Sequence, residues 1–192
     1  KQMCKKIHRG GNAEQYNADK KYKEAVAVAV EACADDTIRN MLVVQGNIAN
    51  TYRSLGRLEE ASRILRDVYS GRLKLNGEEH AQTFTAANNY ALCLGDLKRF
   101  EEAKKLLRKT WPVARRVLGE GHEITLKMGW SYAAVLPIDS GATLDDLREA
   151  VTTLEEIERT ARRVFGGAHP RVRSIERSLQ VSRACLQAHE DA

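Results

Sequence analysis

The stretch RLEEASRILRDVY (residues 57–69) is nearly repeated as RFEEAKKLLRKTW (residues 99–111), 42 positions further along the chain. The same shift carries GEEH at residues 77–80 onto GEGH at residues 119–122. A third copy follows at a shift of 47, which carries residues 119–122 onto GGAH at residues 166–169. Self-similarity at a period of this length indicates stacked supersecondary units that bury their apolar faces against one another. The repeated stretch therefore predicts a repeat fold.

Each copy has the pattern of two helices. In the second copy, helix A is predicted over residues 82–96 and helix B over residues 98–118. Apolar residues recur in helix B at spacings of three and four, as expected for one buried face: Leu97, Phe100, Ala103, Leu106, Leu107, Trp111, Ala114 and Leu118. Pro112 should bend or break helix B, because proline removes a backbone donor and clashes with the preceding turn. Gly119 is placed where a helix C-cap needs positive φ.

Small residues recur in register with the repeat. Alanine occupies one position of each helix A and one position of each helix B: Ala49, Ala91 and Ala133, then Ala61, Ala103 and Ala150. Two helices approach closely only where neither carries a bulky side chain, so these positions predict the helix contacts. The two glutamates that precede the helix B alanine fall in the first turn, where negative charge stabilises a helix N-terminus. The repeated stretch is thus first of all a packing pattern.

The composition favours an all-helical chain of 192 residues with 43% hydrophobic and 30% charged residues. The longest purely apolar run is AVAVAV (residues 25–30), far short of the roughly 20 residues that span a bilayer, so no membrane partner is expected. Four cysteines are scattered without a C-x-x-C pair, which favours reduced thiols in an intracellular, cytoplasmic protein over a disulfide scaffold: Cys4, Cys33, Cys93 and Cys185.

Over about residues 41–170, the pattern A-x-x-Y/L-x-x-L, then R/K-L/F-E-E-A, then LG-x-x-H resembles the tetratricopeptide repeat (TPR), in the 42-residue form of kinesin light chains. It departs from that form at Gln45, which replaces the tryptophan-like position of helix A, and at the five extra residues in LPIDSGATLDD (residues 136–146). The resemblance implies an all-α, right-handed α-solenoid of about three long hairpins with N- and C-terminal capping helices. The expected boundaries are a basic tail at 1–11, a capping helix or half repeat at 12–36, repeats at 37–80, 81–122 and 123–170, and a C-terminal capping helix at 171–192.

In that family, extended peptides lie along the concave groove lined by the A helices, held by asparagine and basic side chains. The resemblance therefore implies a non-enzymatic scaffold that binds a protein or peptide ligand. A carboxamide both donates and accepts, so it can bind a peptide backbone of any sequence, while a lysine can pair with an acidic residue. The expected peptide-binding residues are Asn47, Asn50, Arg53, Asn88, Asn89, Lys127, Trp130 and Ser131. The alternative for Asn88 and Asn89 is that they only cap or solvate helix A.

A basic surface offers a second function. The net charge is +5, and seven arginines crowd residues 159–183 in the C-terminal quarter: Arg159, Arg162, Arg163, Arg171, Arg173, Arg177 and Arg183. Such a surface could bind a nucleic acid or an acidic protein, although no aromatic platform or nucleic-acid motif accompanies it. The alternative is that these arginines only form a solvated convex surface.

Exposed end faces also suggest weak self-association. In the last helix, Val172, Ile175, Leu179 and Leu186 are expected on the buried side, with Gln180 in place of the repeat's alanine.

No pattern of enzyme chemistry is present. The evenly spaced His80, His122 and His169 are interpreted as residues that help stop each helix B, because repeat-length spacing separates them. No nucleophile–base pair, phosphate loop or cofactor motif appears.

Residues 1–9, KQMCKKIHR, resemble the end of a MYND-type zinc finger, but Cys4 and His8 alone cannot make a tetrahedral zinc site. A third reading is therefore the substrate-recruiting arm of a larger zinc-finger, ligase-like protein.

Overall fold

The computed structural model describes residues 35–136 and 142–191, and these form seven α-helices and no strand, which confirms the all-α helical-repeat fold. The helices are α1 Asp35–Ser54, α2 Leu58–Asn76, α3 Ala81–Asp96, α4 Phe100–Leu118, α5 Glu123–Val135, α6 Leu144–Phe165 and α7 Pro170–Glu190. The predicted basic tail with Cys4 and His8 lies outside the described residues, as do nearly all of the predicted capping helix and the segment 137–141.

The chain divides into two compact units, Lys1–Val44 and Gln45–Ala192. The described part of the first unit, residues 35–44, is helical. Within the second unit, each helix from α2 to α7 packs on the next one along the chain, and α3 also contacts α5 directly. Contacts restricted to near neighbours in sequence are the mark of a helical repeat array, in which no single long-range core exists.

The recurring alanines lie at the helix contacts, as predicted. All six are fully buried: Ala49, Ala91, Ala133, Ala61, Ala103 and Ala150. Larger apolar side chains fill the space around them, with Phe84, Leu107 and Tyr132 in a cluster built on α3, α4 and α5. Leu154 and Val172 belong to a second cluster, which α5, α6 and α7 share. The small-residue positions thus set how closely the helices approach.

The junction that follows each helix B has the same construction three times. Gly77, Gly119 and Gly166 end α2, α4 and α6 with φ of 81°, 87° and 82°, a region that favours glycine. Three residues later, His80, His122 and His169 stand at the N-caps of α3, α5 and α7. In each, Nδ1 accepts from the backbone N–H two residues ahead, at 3.1, 3.1 and 3.2 Å. The interpretation of the histidines as helix B stops is wrong, because their side chains begin the following helix.

Of the two predicted effects of Pro112, a bend or a break in helix B, the break is wrong. Helix α4 runs without interruption from Phe100 to Leu118 with Pro112 inside it. Pro112 is exposed, so water can satisfy the backbone carbonyl that its missing N–H leaves without a partner. The paired glutamates do lie in the first turns of α2 and α4, as predicted.

The last helix, α7, buries one side. Val172, Ile175 and Leu179 are buried, as predicted, whereas Leu186 is only half-buried. Gln180, at the position of the repeat's alanine, is exposed. A polar residue at that position leaves the outer face of α7 without the small-residue contact that joins the preceding helices.

Candidate functional site

Helices α3 and α5 present one polar surface, called the A face below, formed by their exposed and half-buried side chains. These two helices contact each other directly, so the exposed side chains on the shared side of α3 and α5 are neighbours. The A face contains Thr85, Asn89, Leu92, Glu123, Lys127 and Trp130.

The predicted peptide-binding residues differ in how much of each side chain is accessible. Asn47 on α1 and Lys127 on α5 are exposed, while Asn50 and Asn89 are half-buried. Arg53 is half-buried and its guanidinium donates to the carboxylate of Asp96 on α3. This ion pair joins α1 to α3, so much of the charge of Arg53 is already used within the fold.

Two of the predicted residues are buried, and a third is held by packing. Asn88 is 2% exposed and Ser131 is 6% exposed. The indole N–H of Trp130 donates to Ser178 Oγ of α7 at 2.9 Å, and its ring packs on the cluster shared by α5, α6 and α7. Trp130 therefore stabilises the contact between hairpins as well as bordering the A face.

A small cavity of about 130 Å³ lies between α3 and α5 on the A face. Its lining consists of Thr85, Asn88, Glu123, Ile124 and Lys127. Neither the Nδ2 nor the Oδ1 atom of Asn88 has a hydrogen-bond partner in the described part of the chain. The sequence predicted Asn88 and Lys127 in the groove but not the cavity or Glu123. The cavity forms where two helices meet, and the sequence of one helix does not predict that contact.

The cavity rim carries two opposite charges. Glu123 accepts from Arg171 of α7 at 2.5 Å, and this hydrogen bond, with the positive charge of Arg171, lowers the pKa of the Glu123 carboxyl. Lys127, one turn further along α5, makes no ion pair within 4 Å to the described carboxylates, although its charge also contributes to lowering the pKa of Glu123. The rim therefore offers a fixed acceptor and an available donor.

A second, larger cavity of about 400 Å³ is bordered by α4, the α4–α5 turn, α5 and α6. Its apolar side is formed by Trp111, Leu126 and Ile157. The indole N–H of Trp111 donates to the Thr125 carbonyl at 3.1 Å, which fixes the ring. Three arginines and two glutamates border the opening: Arg115, Arg159, Arg163, Glu120 and Glu156.

The seven arginines between residues 159 and 183 are only partly neutralised. Arg162 pairs with Glu158 and Glu176, Arg171 with Glu123, and Arg183 with Glu155. Among the described residues, no carboxylate within 4 Å pairs with the remaining four: Arg159, Arg163, Arg173 and Arg177. Two of these four, Arg159 and Arg163, border the larger cavity. The sequence predicted a general basic surface and did not distinguish these two arginines from the others.

Within residues 35–136 and 142–191, no group of three or more His, Cys, Asp or Glu side chains could hold a metal ion. None of the helices described is long and apolar enough to cross a membrane.

Residues 38–116 match the family model of the tetratricopeptide repeat. No curated protein sequence matches the chain significantly. The fold is similar to the crystal structure of the nearly identical TPR-like repeats ascribed to a kinesin light chain of Podosopora anserina, with a TM-score of 0.69 and 20% identity over 76% of this chain. This chain spans 66% of the length of that protein. BtubC (BKLC) from P. vanneervenii matches with a TM-score of 0.62 and 17% identity over 96% of this chain and 77% of its own. The match over residues 38–116 is therefore to the tetratricopeptide repeat, and the all-α helical-repeat fold is similar to that of kinesin light chain-like repeat proteins.

Proposed function

We propose that the chain is a non-enzymatic scaffold that binds an extended peptide segment of a partner protein along the A face and along residues 45–54 of α1. The observation that carries this proposal is the recess between α3 and α5, which lies beside side chains that the fold leaves accessible. Tetratricopeptide repeats bind protein partners in general, and the A helices are the surface implied by the family resemblance.

The chemistry of each accessible side chain determines which part of the peptide it would bind. Asn47, Asn50 and Asn89 would bind peptide backbone, because a carboxamide donates and accepts without regard to side-chain sequence. Lys127 would pair with an acidic residue of the ligand. Arg53, Trp130 and Ser131 would act by holding the helices in place. Arg53 is ion-paired, the indole N–H of Trp130 is hydrogen-bonded and Ser131 is buried.

The fold itself lowers the cost of binding. A surface built on packed helices with fully buried alanine contacts is ordered before the ligand arrives, so association orders few protein side chains. The intracellular, cytoplasmic location and the weak self-association expected from the sequence remain predictions beside this proposal.

The experiment that tests the proposal measures binding of a library of short random peptides to the whole chain. The Asn47→Leu/Asn89→Leu double variant should lose most of the bound peptides. Gln180→Leu is the matched control, because it makes the same amide-to-leucine change at an exposed position of α7. Circular dichroism confirms that both variants fold. Equal peptide binding by both variants and the wild type would overturn the assignment to the A face.

The larger cavity supports a second candidate function, binding of an acidic segment of a partner protein. Arg159 and Arg163 stand one turn apart on α6 at its opening and have no carboxylate partner among the described residues. Arg159→Ala/Arg163→Ala should abolish binding of an aspartate-rich peptide, whereas Arg173→Ala/Arg177→Ala, which removes equal charge away from the cavity, should weaken it slightly. Equal losses in both variants, together with binding of a DNA duplex that falls steeply with salt, would favour the nucleic-acid alternative.

A further inference from the structure

We propose that the cavity between α3 and α5 is a subsite for a primary carboxamide side chain, glutamine or asparagine, of the bound peptide, read by Asn88. This inference rests on the proposed peptide-binding function and names one specificity determinant within it.

Asn88 is the starting point because of its unsatisfied amide. The residue is 2% exposed, yet its Nδ2 and Oδ1 atoms both lack hydrogen-bond partners among the described residues. Buried polar groups in native proteins almost always have partners, and each exception calls for a specific explanation. Since both the donor and the acceptor of one planar group lack partners here, the missing partner has to accept and donate at the same edge.

The adjoining cavity can hold that partner once the Asn88 amide, whose two polar atoms are buried in the free chain, turns toward it. Its volume is about 130 Å³ and Asn88 is one of its five lining residues. Given that a water molecule occupies about 30 Å³ in the liquid, the space holds roughly four waters or one terminal carboxamide with its neighbouring methylenes. Ile124 provides an apolar wall for the methylenes. Lys127 is exposed and has no carboxylate within 4 Å among the described residues, so it can move aside to admit a side chain.

Hydrogen-bond chemistry favours the carboxamide over charged side chains, and its N–H and carbonyl oxygen match both atoms of the Asn88 amide side by side, which the single oxygen of a hydroxyl does less well. A carboxylate only accepts and an ammonium only donates, so each would leave one atom of Asn88 without a partner. A carboxamide pairs with Asn88 through one N–H and one lone pair of its oxygen. Glu123, which Arg171 holds in place, and Lys127 also line the cavity, so they supply an acceptor for the second N–H of the carboxamide and a donor for its second lone pair. A peptide backbone also donates and accepts, but it continues in both directions, so it fits a recess of about 130 Å³ less well than a side chain that ends there.

The test measures binding of the full-length chain to libraries of short peptides in which one position is fixed and the others are random. The wild type should prefer glutamine or asparagine at one position by about tenfold or more over glutamate, lysine and leucine, because a mismatch leaves a buried polar group unpaired. Asn88→Leu should abolish that preference. Asn89→Leu is the matched control and should weaken all peptides together without changing the preference.

Thermal unfolding of the free protein supplies a second readout. If Asn88 has no partner in the free chain, Asn88→Leu should raise the melting temperature by a few degrees, since an apolar side chain replaces an unsatisfied amide of similar size. A lower melting temperature would show that the amide has partners within the chain and would overturn the inference. Peptides that bind without any preference sensitive to Asn88 would overturn it too, while leaving the proposed function intact. A failure of all peptides to bind would overturn both.

Discussion

Three histidines one repeat apart hold the same position in this molecule. Each of His80, His122 and His169 directs Nδ1 at the backbone N–H two residues ahead, and so satisfies one of the four donors that a helix N-terminus leaves free. Histidine is not among the preferred N-cap residues, which are serine, threonine, aspartate and asparagine. Here the imidazole nitrogen replaces the oxygen of those side chains.

The cap can be tested at His122. We expect His122→Ala to lower the free energy of unfolding by about 1 kcal/mol, because the N–H of Ile124 loses its acceptor. His122→Asn should restore most of the loss. His189→Ala, at an exposed histidine in the last turn of α7, serves as control and should change stability by less than about 0.5 kcal/mol. Urea unfolding measures all three, and an asparagine variant as unstable as the alanine variant would refute the capping role.

Cys93 and Cys185 are both free thiols with different surroundings. Cys93 is fully buried, and this burial raises the pKa of its thiol to about 11. At pH 8 the thiolate fraction of Cys93 is then about one in a thousand, and only the thiolate reacts. We expect iodoacetamide to modify Cys185 in the native protein and Cys93 only after unfolding, as located by peptide mass spectrometry. Rapid native labelling of Cys93 would contradict the burial.

At the residue scale, the sequence predicted which positions matter better than what they do. The register identified the histidines, but a residue at a helix boundary can serve the helix before or after it, and spacing does not distinguish the two. Asn88 and Asn89 were predicted to share the groove. Consecutive helical residues point about 100° apart, so one of them is buried by α5 while the other stays half-accessible. Only the contact between α3 and α5 determines which.

Among the helices, α5 depends most on a residue without a side chain. A Cβ atom placed on Gly129 would come within 2.7 Å of Ile157 Cδ1 and within 2.7 Å of Trp111 Cζ2. Gly129 therefore allows the Trp111 ring of α4 and Ile157 of α6 to lie against the α5 backbone. Both side chains also line the larger cavity, so this close approach shapes its apolar side.

We expect Gly129→Ala to lower the free energy of unfolding by about 1–3 kcal/mol, because the added methyl group overpacks this contact. Gly46→Ala is the matched control: it lies inside α1 with nothing within 4 Å of its added Cβ, so it should raise stability by about 0.5–1 kcal/mol through helix propensity. Chemical denaturation measures both changes. A neutral Gly129→Ala would show that Trp111 moves aside without cost.

At the element scale, the prediction from sequence succeeded where the pattern was periodic. The alternation of apolar spacing and turn residues placed α3 and α4 within two residues of their observed ends. The predicted break at Pro112 does not occur, because Pro112 is exposed and water can replace the hydrogen bond that proline removes from α4. Gly129 also escaped notice, since its importance comes from side chains on two other helices.

Across the molecule, one polar network ties successive hairpins together. Arg108 Nε of α4 donates to Tyr132 Oη of α5 at 2.7 Å, and Tyr132 Oη donates to Glu149 Oε1 of α6 at 2.6 Å. Arg108 Nη2 also donates to the other oxygen of Glu149 at 3.0 Å. These three side chains connect α4, α5 and α6. They therefore help to fix the position of one hairpin relative to the next.

This network predicts a loss of stability at alkaline pH. Burial, followed by the hydrogen bond to Glu149, raises the pKa of Tyr132 from 10.0 to about 12. The neutral phenol is therefore favoured in the folded chain, and its contribution is fully present below pH 10 and is lost as the pH rises from 10 to 12. We expect the free energy of unfolding to fall in this range by about 1–2 kcal/mol more than in Tyr132→Phe. Parallel pH profiles for the two proteins would contradict the assignment.

The repeated junction of a positive-φ glycine followed three residues later by an N-capping histidine gives three hairpin boundaries the same backbone geometry. At residues 77–80, 119–122 and 166–169 the chain leaves one helix and enters the next through the same local geometry. A cut made at one junction can therefore be joined to another without altering the path of the backbone at the seam. An array assembled in this way can lengthen or shorten by whole hairpins through unequal recombination, and each new copy can change its A face while its seams stay the same.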